Sequence, residues 1–397
     1  MTQKEIADEL FQAGKEVKNC FLKELSLHRQ DPSGAHTSYD QYVQLLRNLN
    51  IMYDSLDHRT KATIDIESLM SNAQARNSSL DEKNFIAEFL SALDSLLLNT
   101  IKLRENFCVI RRNDRVPGLA SHIITNLGQI IVSINNGYLP VIDTTYVDNM
   151  FTELSHTLSI NAWELYFNQP FTTTLKDIAP DREVTVLEGI PAFMPNYQMD
   201  CLMNPALMSF WRNVARKYMS FSSELNKSVS HHLKHLLFGS ESKILGVLCR
   251  GTDYTNICPY NHPVQPSPEI VLAKTHEYME KYQCSHCYLA TEDQEILRIF
   301  QKDLKDRVLT TQEIYYSSDL KDIINQTNID QSIDIHHKNT EYLTALILLS
   351  KCRYFIGGRT SGTVVSLLLS EGFEESYIWD LGRYGIDDPV TLHSYLY

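Results

Sequence analysis

From Phe107 onward, short apolar runs alternate with helical spacing, and that alternation admits few folds. Phe107 to Ile110 reads as a strand. Ser121 to Asn136 carries Ile123, Ile124, Leu127, Ile130, Ile131 and Ile134 at helical spacing, and Gly137 stops the helix. Tyr138-Leu139-Pro140-Val141-Ile142-Asp143 is the next strand. A strand, a covering helix and a second strand form the unit of a parallel α/β sheet, because parallel strands need a long crossover.

The series continues. Val184 to Leu187 is a candidate strand, and residues 204–237 are mostly helical, with Pro205 suited to a helix start. Lys243 to Cys249, Cys287 to Ala290, Arg307 to Leu309, Arg353 to Ile356 and Tyr377 to Leu381 read as strands. Between them fall helices that open at Ser267-Pro268-Glu269, with Ser267 as N-cap, at Glu292, at Glu341 and at Ser361. The expected architecture is two successive α/β halves, residues 105–238 and 239–397, with a cleft between them.

Residues 1–104 differ. Ile6, Leu10, Val17, Phe21 and Leu25 share one helical face, as do Phe85, Phe89, Leu93, Leu96 and Leu97. Ser79 with Glu82 fits a capping box, and Asp31-Pro32-Ser33-Gly34 and Asn77-Ser78-Ser79 are polar breaks. This is a helical module with no chemical signature. Docking on the following domain is its expected role, with self-association as the alternative.

Composition removes whole classes. With 43% apolar and 21% charged residues among 397, the chain can bury real cores and is not a disordered polymer. Acidic residues number 49 against 36 basic, a net charge of −13, which argues against a general nucleic-acid binder. A small anion remains possible, since it needs only one or two placed cations. The start lacks a signal-peptide core and no run approaches a membrane span, so a cytoplasmic protein is expected. Cys20, Cys108, Cys201, Cys249, Cys258, Cys284, Cys287 and Cys352 are then expected to be reduced and mostly buried.

Ligands of open α/β sheets bind at the carboxyl ends of strands, and four such loops are polar and rich in small residues. Leu248-Cys249-Arg250-Gly251-Thr252-Asp253-Tyr254 puts a permanent cation beside a glycine backbone, a fork suited to phosphate, or simply an Arg–Asp pair in a turn. Ile356-Gly357-Gly358-Arg359-Thr360-Ser361-Gly362-Thr363 joins a strand to a helix start, an anion site or a capped turn. Thr291-Glu292-Asp293 offers carboxylates to sugar or ribose hydroxyls, to a metal, or simply to a helix N-terminus. The fourth pairs Val116–Ser121 with Asp143-Thr144-Thr145, where Asp143 would meet an acceptor hydroxyl or serve as a turn residue.

Other groups carry less. Cys284-Ser285-His286-Cys287 is a single CxxC that runs into a strand, a poor fit to zinc or redox work. His231, His232 and His235 lie on a helix without the Glu of a metalloprotease motif, and His336-His337 has no partner visible in the sequence. No Walker, dinucleotide or Gly-x-Ser-x-Gly fingerprint is present.

Taken in order, Gly246–Asp253, Cys287–Asp293 and Cys352–Gly362 resemble the fucosyltransferase superfamily, in particular the α1,6-fucosyltransferases and their bacterial polysaccharide relatives. Asn136–Asp143 followed by Asn161–Pro170 resembles the first-domain signature of bacterial members. The likeness spans residues 107 to about 381.

The resemblance implies a GT-B fold: two facing Rossmann-like domains, the second holding a GDP-sugar donor. It places Arg250 on the donor diphosphate, with Gly251, Thr252, Thr291, Glu292, Asp293, Gly358, Arg359, Thr360 and Ser361 around the donor. No metal and no further cofactor are expected, because one Arg and a helix N-terminus meet the doubly negative leaving group. Gly251 stands where the family has a second Arg, and the family's base does not transfer. Asp253, His262 and Asp143 are the base candidates. The expected function is an inverting transfer of a sugar, fucose foremost, to a carbohydrate acceptor such as a bacterial surface glycan. A non-catalytic nucleotide-sugar or glycan binder is the alternative.

Overall fold

The computed structural model describes residues 2–30, 39–54, 79–112, 118–145, 160–236, 243–319 and 334–386. Its contacts divide the chain into two compact units, Met1–Cys108 with Ser133–Leu139, and Val109–Val132 with Pro140–Tyr397.

Among the described residues, the first unit is built on α1 (Gln3–Gln30), α2 (Tyr39–Asp54) and α3 (Ser79–Arg104). Their apolar stripes meet in an aromatic core. The Phe21 ring lies 4.4 Å from Phe89 and 5.0 Å from Tyr42, among fully buried Leu10, Val43, Leu46 and Leu93. Arg104 ends α3 by donating to the Gly137 carbonyl at 2.9 Å and lying over the Phe11 ring at 4.5 Å. Gly137 adopts φ +78°, and a Cβ there would stand 1.9 Å from the Arg104 guanidinium, so both conformation and space require glycine. The polar breaks at 31–34 and 77–78 and the side chains of Ser79 and Glu82 lie outside the described residues.

The second unit holds most of both sheets. In the smaller sheet β1 (Phe107–Ile110) lies between β2 (Leu139–Ile142) and β3 (Thr185–Leu187). The bonds Leu139 N to Asn106 O and Asp143 N to Ile110 O advance together along both strands, the mark of a parallel pair. Helix α4 (Leu119–Asn135) makes the crossover between them. Helices α5 (Pro205–Tyr218) and α6 (Ser223–His235) follow, capped by the side chains of Asn204 and Ser222.

The larger sheet has order β6-β5-β4-β7-β8, and every pair is parallel. Its strands are β4 (Ile244–Leu248), β5 (His286–Ala290), β6 (Val308–Leu309), β7 (Tyr354–Gly358) and β8 (Glu375–Trp379). Helices α7 (Thr252–Ile257), α8 (Pro268–Lys281), α9 (Gln294–Leu304), α10 (Ile335–Leu349) and α11 (Ser361–Leu369) connect them. β4 and β7 are buried along their whole length, as central strands covered on both faces must be. Leu245, Val247, Leu289, Phe300 and Ile356 form the heart of this core. The mixed, parallel architecture is the expected α/β class.

Several boundaries moved for local reasons. α10 starts at Ile335, six residues before the expected Glu341, because Asp334 accepts the His337 amide as N-cap. α9 starts at Gln294, since Asp293 is spent as its cap. Ser267 occupies the N-cap position of α8 but accepts no backbone amide there. All eight cysteines are free, and six are buried. Burial pushes the Cys284 thiol up to about 11 and the Cys287 thiol up to about 12, so the CxxC is core filling. His336 and His337 do have partners: His336 Nε2 lies 3.1 Å from Glu224, and His337 faces Glu313 and Glu341. Among the described residues, no helix is long and apolar enough to cross a membrane.

His122, buried on α4, is held down to about 3 by desolvation and by the nearby Arg112 charge. The folded state therefore refuses a proton that the unfolded chain accepts below pH 6.5. Stability should fall as pH drops from 6.5 toward 3, with about 2 kcal/mol lost through this residue by pH 5. Urea unfolding of wild type and His122→Gln at pH 7.5 and 5.0 checks this. The variant's loss on acidification should be smaller by that amount.

Candidate functional site

The site begins with register. Leu248 at the end of β4 stands opposite Ala290 of β5 on one side and Gly357 of β7 on the other. Three chain segments therefore leave the sheet side by side at the carboxyl ends of its central strands: Cys249–Tyr254, Thr291–Asp293 and Arg359–Gly362.

The acidic segment organises the first of these. Glu292 Oε1 lies 3.3 Å from Arg250 Nε, accepts the Gly251 amide at 3.1 Å and accepts the Thr252 hydroxyl at 3.1 Å. Asp293 Oδ2 accepts the Thr252 amide at 3.1 Å, while its Oδ1 caps α9 by accepting from Glu295 N and Ile296 N. Thr252 begins α7 at φ +51°, an uncommon conformation that these bonds hold. A Cβ at Gly251 would come within 2.5 Å of Asp293 Oδ2. The backbone passes the carboxylate so closely that only glycine fits. The Thr291 amide is itself tied to Gln312 Oε1 at 2.9 Å. Asp293 is thus committed to two local caps, whereas the partly exposed Arg250 and Glu292 lie at the rim.

In the third segment Thr360 caps α11, its Oγ1 accepting the Thr363 amide at 3.1 Å. The amides of Ser361 and Gly362 come first in that helix, a natural place for an anion. Tyr342 stands behind this turn. Its hydroxyl is 3.1 Å from where a Cβ of Gly362 would sit. The pKa of its phenol is pushed up to about 12, by burial first, with Arg250 opposing and Glu292 reinforcing. The start of α11 thus packs against a tyrosine on which the Arg250 charge also acts.

Arg359 does not reach outward as a free cation. It is 4% exposed, and it donates to the Tyr197 carbonyl at 3.0 Å, to Gln198 Oε1 at 2.9 Å and to Asp380. Arg383 is 6% exposed; it donates to Asn261 Oδ1 at 2.8 Å and also to Gln198 Oε1. Two buried guanidiniums thus share one amide oxygen, and the carboxylate beside them, Asp380, is half-exposed. Desolvation and the Arg359 charge hold the Arg383 guanidinium below its ordinary value. Tyr197, Gln198, Gln265 and Arg383 were not legible as site residues. Gln265 fills the space beside Gly358, where a Cβ would stand 2.0 Å from its Oε1. No spacing announces these residues, because they come from three separate stretches of chain.

The base candidates separate clearly. Asp143 is buried, with Oδ2 on Arg111 Nε at 2.9 Å and Oδ1 accepting the Thr145 amide and hydroxyl at 2.8 and 2.6 Å. Asn161 and Gln169 bond the same strand end at Ile142, so the Asn161–Pro170 stretch braces β2. His262 is exposed in the turn between α7 and α8, its Nδ1 3.4 Å from the Tyr254 hydroxyl. Desolvation and the Arg383 charge hold its imidazole below the usual histidine value, so it is neutral at pH 7. Asp253 lies in α7, and its side chain is outside the described residues.

No sequence-family profile matches the chain, and no curated protein does. Among solved structures it is similar to the fucosyltransferase NodZ from Bradyrhizobium, at 15% identity and a TM-score of 0.39, over 67% of this chain and 94% of that one. It is also similar to a variant of Arabidopsis thaliana FUT1 in complex with GDP, at 9% identity and a TM-score of 0.42, over 83% and 84% of the two chains. The third is POFUT1 with GDP-fucose, at 11% identity and a TM-score of 0.33, over 74% and 81%.

Because Asp293 serves α9 and the Thr252 turn together, Asp293→Ala should cost roughly 2 kcal/mol of stability. Glu292→Gln keeps the cap and should cost under about 1 kcal/mol. Thermal unfolding of both variants beside wild type checks the order.

Proposed function

We propose that the chain is a GT-B-type glycosyltransferase that moves a sugar, fucose foremost, from a GDP-sugar to a carbohydrate acceptor with inversion. The observation that carries this reading is that Arg250 and the start of α11 follow the carboxyl ends of neighbouring parallel strands, β4 and β7. A fixed cation and free helical amides at one place suit a departing diphosphate, and they require no metal for that purpose. Glu292 holds Arg250 in that position and is within reach of sugar or ribose hydroxyls. Residues 239–397 are the donor half in this reading, and residues 105–238 the acceptor half.

His262 is the proposed base. Its neutral imidazole takes the acceptor hydroxyl's proton as that oxygen attacks the anomeric carbon, and the bond to the diphosphate breaks on the opposite face. The buried carboxylate of Asp143, already bonded to Arg111 and Thr145, is poorly placed for such a role. A second reading, a nucleotide-sugar binder without turnover, is favoured by one observation: Arg250 already has a carboxylate partner in Glu292.

GDP should raise the unfolding temperature without added metal, and Arg250→Ala should lose that protection. The same variant should cut transfer from GDP-fucose by about 100-fold or more, with unliganded stability nearly unchanged. Equal protection by UDP would defeat the guanine part of the proposal. Protection by GDP with neither transfer nor donor hydrolysis would establish the binder instead.

The pH profile tests the base. Since the His262 imidazole is held below 6.5, it loses the neutral form only as pH falls through that lowered value. The acid limb of kcat/KM should therefore lie below pH 6.5 and vanish in His262→Ala.

A further inference from the structure

Away from the three loops, the segment after β6 meets the first turns of α10. Glu313 comes from the segment. His337 and Glu341 lie four residues apart on the helix, and so on one face. His337 Nε2 is 3.4 Å from Glu341 Oε1 and 3.6 Å from Glu313 Oε2, and the three donor atoms all lie within 4.8 Å of one another. These separations are long for hydrogen bonds. They do match one ion bound by all three: donors about 2.1 Å from a tetrahedral centre stand about 3.4 Å apart.

We propose that Glu313, His337 and Glu341 bind a divalent transition-metal ion, of the zinc class, outside the transfer site. The donor set selects the class. One imidazole nitrogen with two carboxylate oxygens suits Zn²⁺, whereas Ca²⁺ and Mg²⁺ prefer oxygen alone. Two carboxylates and a neutral imidazole bring two negative charges to a dication.

The surroundings hold the ligands in place. Glu341, with only 9% of its side chain exposed, accepts the Glu313 amide at 2.9 Å, and Asp334 accepts the His337 amide at 3.1 Å. Glu341 is held in a largely buried position, so a cation beside its carboxylate offsets the cost of keeping that charge there. Glu313 and His337 are 78% and 50% exposed, leaving an entry path and room for water as a remaining ligand. His232 of the packed helix α6 also feels the Glu313 charge. The competing arrangement is a protonated His337 bridging both carboxylates with no metal.

The ion would act at a distance. The same segment bonds the acidic loop, through Gln312 Oε1 to Thr291 N and through Tyr316 N to Glu292 O at 2.9 Å. Pinning Glu313 to α10 steadies the strut behind Glu292 and Asp293.

The test is calorimetric titration of the full chain with ZnCl₂ at pH 7.5, after EDTA treatment and desalting. One equivalent should bind with micromolar affinity and raise the unfolding temperature. His337→Ala and Glu313→Gln, both at exposed positions, should each weaken it at least tenfold. His231→Ala/His235→Ala, which removes the i, i+4 pair on α6, should leave it unchanged. Unchanged zinc binding in His337→Ala, or Ca²⁺ bound as tightly as Zn²⁺, would overturn the assignment. GDP protection is a separate readout, so the zinc result and the donor reading can fail independently.

Discussion

The parallel pairing of β5, β4 and β7 is the constraint on which the rest of the site depends. Parallel strands all end at the same edge, and Leu248 faces Ala290 and Gly357 across the ladder. That alignment delivers a cation, a carboxylate pair and a helix start to one place, although Arg250 lies 42 residues before Glu292 and 110 before Thr360 in sequence. A slip of one residue in β4 would turn Arg250 to the opposite face of the sheet and unmake the arrangement. The fully buried core of Leu245, Val247, Leu289 and Ile356 opposes such a slip.

Charge is handled locally in this acidic protein. Glu292 gathers Arg250, Gly251 and Thr252 around one oxygen, and Asp293 satisfies three amides from two helices. Arg359 and Arg383 are held together through Gln198, with Asp380 beside them. Gln198 belongs to the earlier half of the second unit, so two guanidiniums from the later half grip a neutral acceptor across the sequence. A neutral acceptor leaves net positive charge in that neighbourhood, which raises the electrostatic potential available to an anion nearby.

Much of this was legible beforehand. Strand β4, the Thr360 cap and the stop at Gly137 each rest on local chemistry: an apolar run, a hydroxyl before a helix, a glycine at positive φ. Those signals survive folding because they act over a few residues. Asp293 was legible as an acidic residue at a helix start, and its local reading describes most of its bonds. Arg383 was not legible, since nothing near it in the chain marks a site, and its partners Gln198 and Asn261 are remote. The partners of His337 were not legible for the same reason; Glu341 is near in sequence, but Glu313 arrives only through the loop after β6.

By itself, then, the sequence determined the α/β class, the order of elements and the positions of Arg250, Glu292 and Thr360 at strand ends and helix starts. Periodicity and capping carry that information, because they reflect forces acting within a turn or two of chain. Only the tertiary structure decided which carboxylates are committed and which stand at the rim. It also decided which arginines share an acceptor, and where an imidazole meets two carboxylates. Those outcomes depend on burial and on atoms brought within a few ångströms from distant segments, and sheet register and helix packing set them.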